Sequence, residues 1–226
     1  MPETPAPTTG TPNAAIGATP IGQAPLSQLL GDIARKSPAP GGGAVASAAG
    51  ALAAALGGMV LAFSQGKKDL AKHAAEHEAL ASRCARASCR LLELADQDAR
   101  AYGELNTLQR MPEDAHERRR LPQAAQQCVD VPLEVQRVCV ELLEDFHALA
   151  PIANQSLLSD LKIAAIMAEA ATRASDCNVE VNAPTLGRAV SPSAEKDAQA
   201  QSLKACERAA GLLYQIEASI DEVTEA

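Results

Sequence analysis

The sequence predicts an all-α fold: a multi-helix bundle with one long central helix and one buried Ala/Gly-rich helix, paired as a homodimer. Three observations predict it. The hydrophobic residues, 47% of the 226, are mainly Ala and Leu rather than Val, Ile and Phe, a choice that favours helices over strands. Apolar residues recur at steps of three and four along most of the chain. Nothing in the pattern alternates helix with strand as a doubly wound sheet requires, and no internal repeat is visible.

Residues 1–25 are Pro, Thr, Ala and Gly with almost no large apolar side chain, which predicts a mobile tail ahead of one helical domain over residues 26–226. The first helix is expected from about Ser27 to Arg35, with Leu26, Leu29, Leu30 and Ile33 on one face. Ser37-Pro38-Ala39-Pro40-Gly41-Gly42-Gly43 ends it. Ala44 to Phe63 then carries no charge, and its length suits a membrane span. Nine of its twenty residues are Ala and three are Gly, however. Val45, Leu52, Leu56, Met59, Val60 and Phe63 fall at helical spacing and leave a smooth face that includes Ser47, Gly50 and Gly57. That is the pattern of a buried helix approached closely by its neighbours, and no membrane association is expected.

Lys67 to about Leu108 reads as a single long helix with an inward stripe through His77, Cys84, Leu91, Ala95, Asp98, Tyr102 and Leu105. A charged connector follows, then a helix over about Gln123 to Leu149 that Pro132 should kink or divide. Ser159 and Asp160 supply a helix start, and that helix is expected to end near Ala174. Asn178-Val179-Glu180-Val181-Asn182 reads as extended or irregular. Ser193 caps a last helix over about Ala194 to Val223, with Leu203, Cys206, Ala210, Leu213, Ile216 and Ile220 inward. The smooth Ala/Gly helix and the long helix together exceed what one small bundle buries, hence the expected homodimer.

Composition removes several functions. Lys and Arg number 20 against 28 Asp and Glu, a net charge of -8, which disfavours binding along a phosphate backbone. No Trp, two Tyr and two Phe leave almost no surface on which bases could stack, so no nucleic-acid partner is expected. Cys84, Cys89, Cys128, Cys139, Cys177 and Cys206 include no Cys-x-x-Cys pair and read as reduced thiols packed like small apolar residues. The chain offers no compact set of metal ligands, so neither metal nor cofactor is expected. Met1-Pro2-Glu3-Thr4-Pro5 lacks the basic and apolar regions of a secretory signal, and the expected location is cytoplasmic.

Chemistry has four candidate places. Pro40-Gly41-Gly42-Gly43 opens straight into an apolar helix, where glycines admit a ligand close to backbone N–H groups; the alternative is a plain linker. Asp98, on an apolar stripe, loses solvation and needs either a structural ion pair or a cavity. Lys67 and Lys68 at a helix start oppose the helix dipole, a cost that a ligand or an acidic partner offsets. Asn178 and Asn182 both donate and accept, which suits a heterocycle edge or a turn. Two clusters, Arg83/Arg86/Arg90 and Arg118-Arg119-Arg120, would meet a polycarboxylate tail or form solvated faces.

Taken in order, Pro40-Gly41-Gly42-Gly43, Gly66-Lys67-Lys68, Asp98-Ala99-Arg100-Ala101-Tyr102, Val131-Pro132-Leu133, Ser159-Asp160-Leu161 and Asn178-Val179 with Asn182 form one pattern. The pattern resembles the formiminotransferase-cyclodeaminase C-terminal domain and its stand-alone relatives, the methenyltetrahydrofolate cyclohydrolases. The resemblance covers about residues 26–190. It implies an all-helical homodimer acting on a tetrahydrofolate derivative. Asp98, Lys67 and Asp160 would be catalytic, while Pro40, Gly41, Gly42, Gly43, Tyr102, Asn178 and Asn182 would bind substrate. Under it Asp98 stabilises a cationic bridging carbon or takes a proton from water, and Lys67 donates to the departing nitrogen or contacts developing charge. Two positions depart from the family pattern: Glu113 where Lys is common, and Ala44 where Ser or Gly often follows the glycines. The implied activity is hydrolysis of 5,10-methenyltetrahydrofolate. The alternatives are deamination of 5-formiminotetrahydrofolate and a non-catalytic folate-binding dimer.

Overall fold

Helix follows helix through the computed structural model, which describes residues 20–225, and the described residues contain no strand. Residues 1–19 of the expected tail lie outside that range. Its last residues are ordered: a short turn at Ile21–Gln23 lies on the long helix, and the Ile21 amide donates to Asp96 Oδ1 at 2.9 Å.

Six α-helices follow: α1 (Leu26–Ile33), α2 (Gly42–Ser64), α3 (Ala74–Arg110), α4 (Leu121–Leu149), α5 (Leu158–Ala189) and α6 (Pro192–Glu225). Helices α2 to α5 form a four-helix ring in which each packs on the next and α5 returns to α2. Helix α6 covers the α4–α5 side, and α1 makes no more than glancing contact with any of them. Phe146, Leu142 and Leu143 of α4 meet Leu61 of α2, Leu91 and Leu94 of α3 and Leu161 of α5 in one fully buried core.

The Ala/Gly-rich α2 is the part of the bundle that admits close neighbours. Gly43, Gly50 and Gly57 recur one heptad apart and form a line without side chains. Asp98 of α3 fills the first gap, Leu91 of α3 with Cys139 of α4 the second, and Phe146 of α4 the third. A methyl at Gly57 would overlap the Phe146 ring, whose Cζ would stand only 2.7 Å away. Gly57→Ala is therefore expected to destabilise the fold by about 1–3 kcal/mol, measured by urea denaturation, although Ala is the better helix former. Among the described residues α2 is the one helix long and apolar enough to cross a membrane. Its small face is buried inside the bundle, as in a core helix, while Val45, Leu52 and Phe63 point outward.

Several elements differ from expectation. The long helix starts at Ala74, not Lys67, because Gly66 adopts a left-handed φ of 76° and the chain makes a further turn at Ala71–His73. Helix α4 runs through Pro132 undivided. A proline leaves the carbonyl four residues earlier without its N–H donor, here that of Cys128. Asn182 Nδ2 donates to that carbonyl at 3.1 Å across the α4–α5 contact. This bond anchors the segment Asn178–Asn182, which is helical within α5 rather than extended, as is Pro184 beyond it. Ser159 does not cap α5, which lacks a side-chain cap; Asp160 lies in its first turn. For α6 the cap is Ser191, whose Oγ accepts from the Ala194 amide at 3.2 Å, and Leu203 is exposed while Ser202, Ala209 and Leu212 turn inward.

All six cysteines are free thiols. Burial pushes Cys84, Cys128 and Cys139 each up to about 12, so they remain neutral and pack as small apolar groups.

Candidate functional site

The first gap in the glycine line is where the sequence-derived residues meet. Gly41 is the N-cap of α2 and Gly42 and Gly43 are its first two residues, with no side chain capping them. Asp98 lies against Gly43 so closely that the position admits no side chain: an added Cβ would overlap the carboxylate, its farther oxygen 2.7 Å away. Asn178 of α5 closes the other flank, its Oδ1 3.5 Å from where a Gly42 Cβ would stand. Asn178 Nδ2 donates to the Ala174 carbonyl at 3.0 Å, which holds the side chain along its own helix.

Asp98 is mostly enclosed, and burial holds its carboxyl above the usual carboxylate range; the Ala44 amide, which donates to it, offsets part of that rise. No cation enters this balance, so a structural ion pair does not explain the residue. Tyr102 lies one turn further along α3, partly exposed at 39%. Buried Cys128 lies near enough for the Asp98 charge to help raise its thiol. The pocket wall thus combines a desolvated carboxylate, uncapped helix amides and an amide side chain.

The remaining predicted residues are elsewhere. Lys67 stands past the C-terminal end of α2, and Asp160 is in the first turn of α5 at that same end, since α5 runs antiparallel to α2. A 23-residue helix is about 33 Å long, and that length separates Lys67 from Asp98 within one chain. Lys67 is exposed yet held: its Nζ donates to Asn154 Oδ1 at 2.6 Å. Asn154 is itself buried, donating from Nδ2 to the Phe63 carbonyl at 3.2 Å and from its backbone N–H to Ser64 Oγ at 2.9 Å. Sequence reasoning missed Asn154; its one signal was an amide in the apolar run after Pro151. Asn182, with Nδ2 committed to the Cys128 carbonyl, serves the backbone of α4 first.

The arginine clusters find acidic partners in their own chain. Arg83 pairs with Asp145 at 2.9 Å, Arg90 with Glu93 at 3.2 Å and Glu134 at 3.5 Å, and Arg120 with Glu104. A separate groove of about 630 Å³ between α3 and α4 includes Arg90, Arg100, Glu104, Asp130 and Glu134, and Asp98 is not among its lining residues.

Comparison with known proteins decides the family. The family model described as formiminotransferase-cyclodeaminase matches residues 25–205, which contain the glycine line, Asp98 and Asn178. The chain belongs to the formiminotransferase-cyclodeaminase family. Within this family it is similar to the formimidoyltransferase-cyclodeaminase of Rattus norvegicus, 32% identical over 164 residues, 70% of this chain but 30% of the rat protein. It is also similar to the methenyltetrahydrofolate cyclohydrolase of Methylorubrum extorquens, 28% identical over 170 residues, 73% of this chain and 82% of that protein. The solved formiminotetrahydrofolate cyclodeaminase of Thermotoga maritima superposes with a TM-score of 0.81 at 26% identity, covering 90% of this chain and 99% of that one. The all-helical architecture of this formiminotransferase-cyclodeaminase family member is therefore shared with a solved relative.

Proposed function

We propose that this member of the family is a folate one-carbon enzyme that hydrolyses 5,10-methenyltetrahydrofolate to 10-formyltetrahydrofolate. The observation that carries the reading is Asp98, a desolvated carboxylate with no cation of its own beside the glycine start of α2. The bridging carbon of the substrate is an electrophilic amidinium, and a carboxylate without a partner is the complementary group. As water adds to that carbon, Asp98 takes one of its protons, and the neutral tetrahedral adduct forms. The proton held on Asp98 then passes to N5 as the C–N5 bond breaks. The adduct's hydroxyl releases its own proton to solvent and becomes the formyl carbonyl on N10. One proton is released overall. A carboxyl above its usual range suits this shuttle, because it holds the proton long enough to return it.

The cyclohydrolase of similar length in Methylorubrum extorquens supports this reading. A second reading, release of ammonia from 5-formiminotetrahydrofolate, is supported by the near-complete structural overlap with the Thermotoga maritima cyclodeaminase. Both reactions pass through a tetrahedral carbon bearing nitrogen, which one site can serve. The test is to incubate the purified protein with methenyltetrahydrofolate and follow loss of its ultraviolet chromophore above the spontaneous rate, alongside an ammonia assay with formiminotetrahydrofolate. Catalysed chromophore loss without ammonia release is expected. Ammonia release alone favours the second reading, and tight binding without turnover favours a folate-binding protein.

A further inference from the structure

Helix α2 turns an unbroken apolar seam to the outside. Val45, Leu52 and Met59 occupy one heptad position of that seam and Ala48, Ala55 and Ala62 the other, so large and small side chains alternate. Val45 is 43% exposed and Leu52 57%, and Ala55 and Ala62 are also exposed, with nothing in the same chain to cover them. The seam carries no charge from end to end. Helix α1, which leads into Gly41, extends the surface with Leu26 and Leu30, 65% and 59% exposed.

Such a seam complements itself. If two copies of α2 cross antiparallel about a two-fold axis at its middle, Val45 meets Ala62, Leu52 meets Ala55 and Met59 meets Ala48, a large residue against a small one at each level. Sliding the helices by a heptad loses part of these pairs. A seam about 33 Å long and about 10 Å wide, widened by α1, approaches the roughly 800 Å² per partner of a standard interface. Continued past the helix ends, the same register sets Lys67 opposite Pro40, at the mouth of the Asp98 pocket.

We infer that each functional site is built from two subunits, with Asp98, the glycine start of α2 and Asn178 from one chain and the partner subunit's Lys67 completing it. The inference rests on the folate reading above and names the part of the substrate that Lys67 serves. An ammonium beside the cationic bridging carbon would oppose it, so the partner subunit's Lys67 takes the other end of the molecule, the glutamate carboxylates. The bond to Asn154 then has a purpose, because it fixes an exposed amine in one place before a ligand arrives.

Three measurements on the full chain test this. The wild type is expected to sediment as a dimer and Leu52→Glu as a monomer with an unchanged helical circular dichroism spectrum. A Val45→Cys/Ala62→Cys chain is expected to form an inter-chain disulfide that neither single variant forms. Lys67→Met is expected to lower kcat/KM at least tenfold, through KM and not kcat, and to lose that effect on a methenyltetrahydropteroate lacking glutamate. Co-expression of Lys67→Met with Asp98→Asn then rebuilds one complete site in every mixed dimer, so kcat/KM returns to about a quarter of wild type. Sites contained within one chain would give at most half of the Lys67→Met value, which overturns the inference. So do a monomeric wild type, absence of the 45–62 bridge, or an unchanged kcat/KM in Lys67→Met. If the wild type turns over neither folate, the substrate reading fails by itself, and sedimentation and the bridge still decide the pairing.

Discussion

Asp98→Asn is expected to stop turnover and to melt at a higher temperature than the wild type. The two effects share one cause. In the wild type, burial makes the ionised carboxylate costly and no cation compensates, so the carboxyl titrates above its usual range. Asparagine keeps an oxygen to accept the Ala44 amide and carries no charge to desolvate, but it cannot take a proton from water. Loss of a positioned general base lowers kcat by about 10²–10⁴-fold. Each kcal/mol recovered should raise Tm by about 2–4 °C in a chain of this size. The sign with pH follows from linkage. A carboxyl whose folded pKa is raised contributes stability that is present below its unfolded pKa and is lost as pH rises through the folded value. The Tm advantage of Asp98→Asn should therefore be absent at low pH and appear as Asp98 ionises, which melting curves from pH 3 to 8 would measure. A variant that is less stable at pH 7 would mean Asp98 has a cationic partner after all.

Gly43→Ala is the second large effect, and here structure and helix propensity predict opposite signs. By propensity, Ala for Gly in the first turn of α2 should stabilise by about 0.5–1 kcal/mol. The new methyl, however, lands on the Asp98 carboxylate. Either α3 yields or Asp98 turns away, at a cost of about 1–3 kcal/mol. Displacing the carboxylate by about 1 Å should also lower kcat/KM about 100-fold. Gly58→Ala is the control: it lies in the same helix with nothing within 4 Å of the new methyl, so it should gain the propensity term and keep full activity. Urea denaturation and steady-state kinetics on the two variants separate crowding at the pocket from any general effect of alanine in α2.

Much of this arrangement was legible in the sequence because it follows from periodicity. The stripe through Leu91, Ala95 and Asp98 turns Asp98 toward the interior, and the uncharged Ala/Gly stretch is the helix its neighbours approach most closely. Other features depend on tertiary contacts that periodicity does not encode. Two asparagines, β-branched Val179 and Val181, and Pro184 argue locally against helix, yet α5 continues through them because Asn182 is needed at the carbonyl that Pro132 frees on α4. The large residues of α2 were expected to mark its packed face, but close approach to α3, α4 and α5 places the small residues inside. Lys67 follows α2 by three residues in sequence and stands a helix length from Asp98 in space.

The evenly spaced glycines of α2 also make that helix a rigid rule shared by two unlike neighbourhoods. One graduation seats the Phe146 ring deep among leucines and another seats the Asp98 carboxylate at the rim. A shift of the rod along its axis moves both at once, so repacking far inside the protein will be read out at the pocket as misalignment of a single oxygen pair.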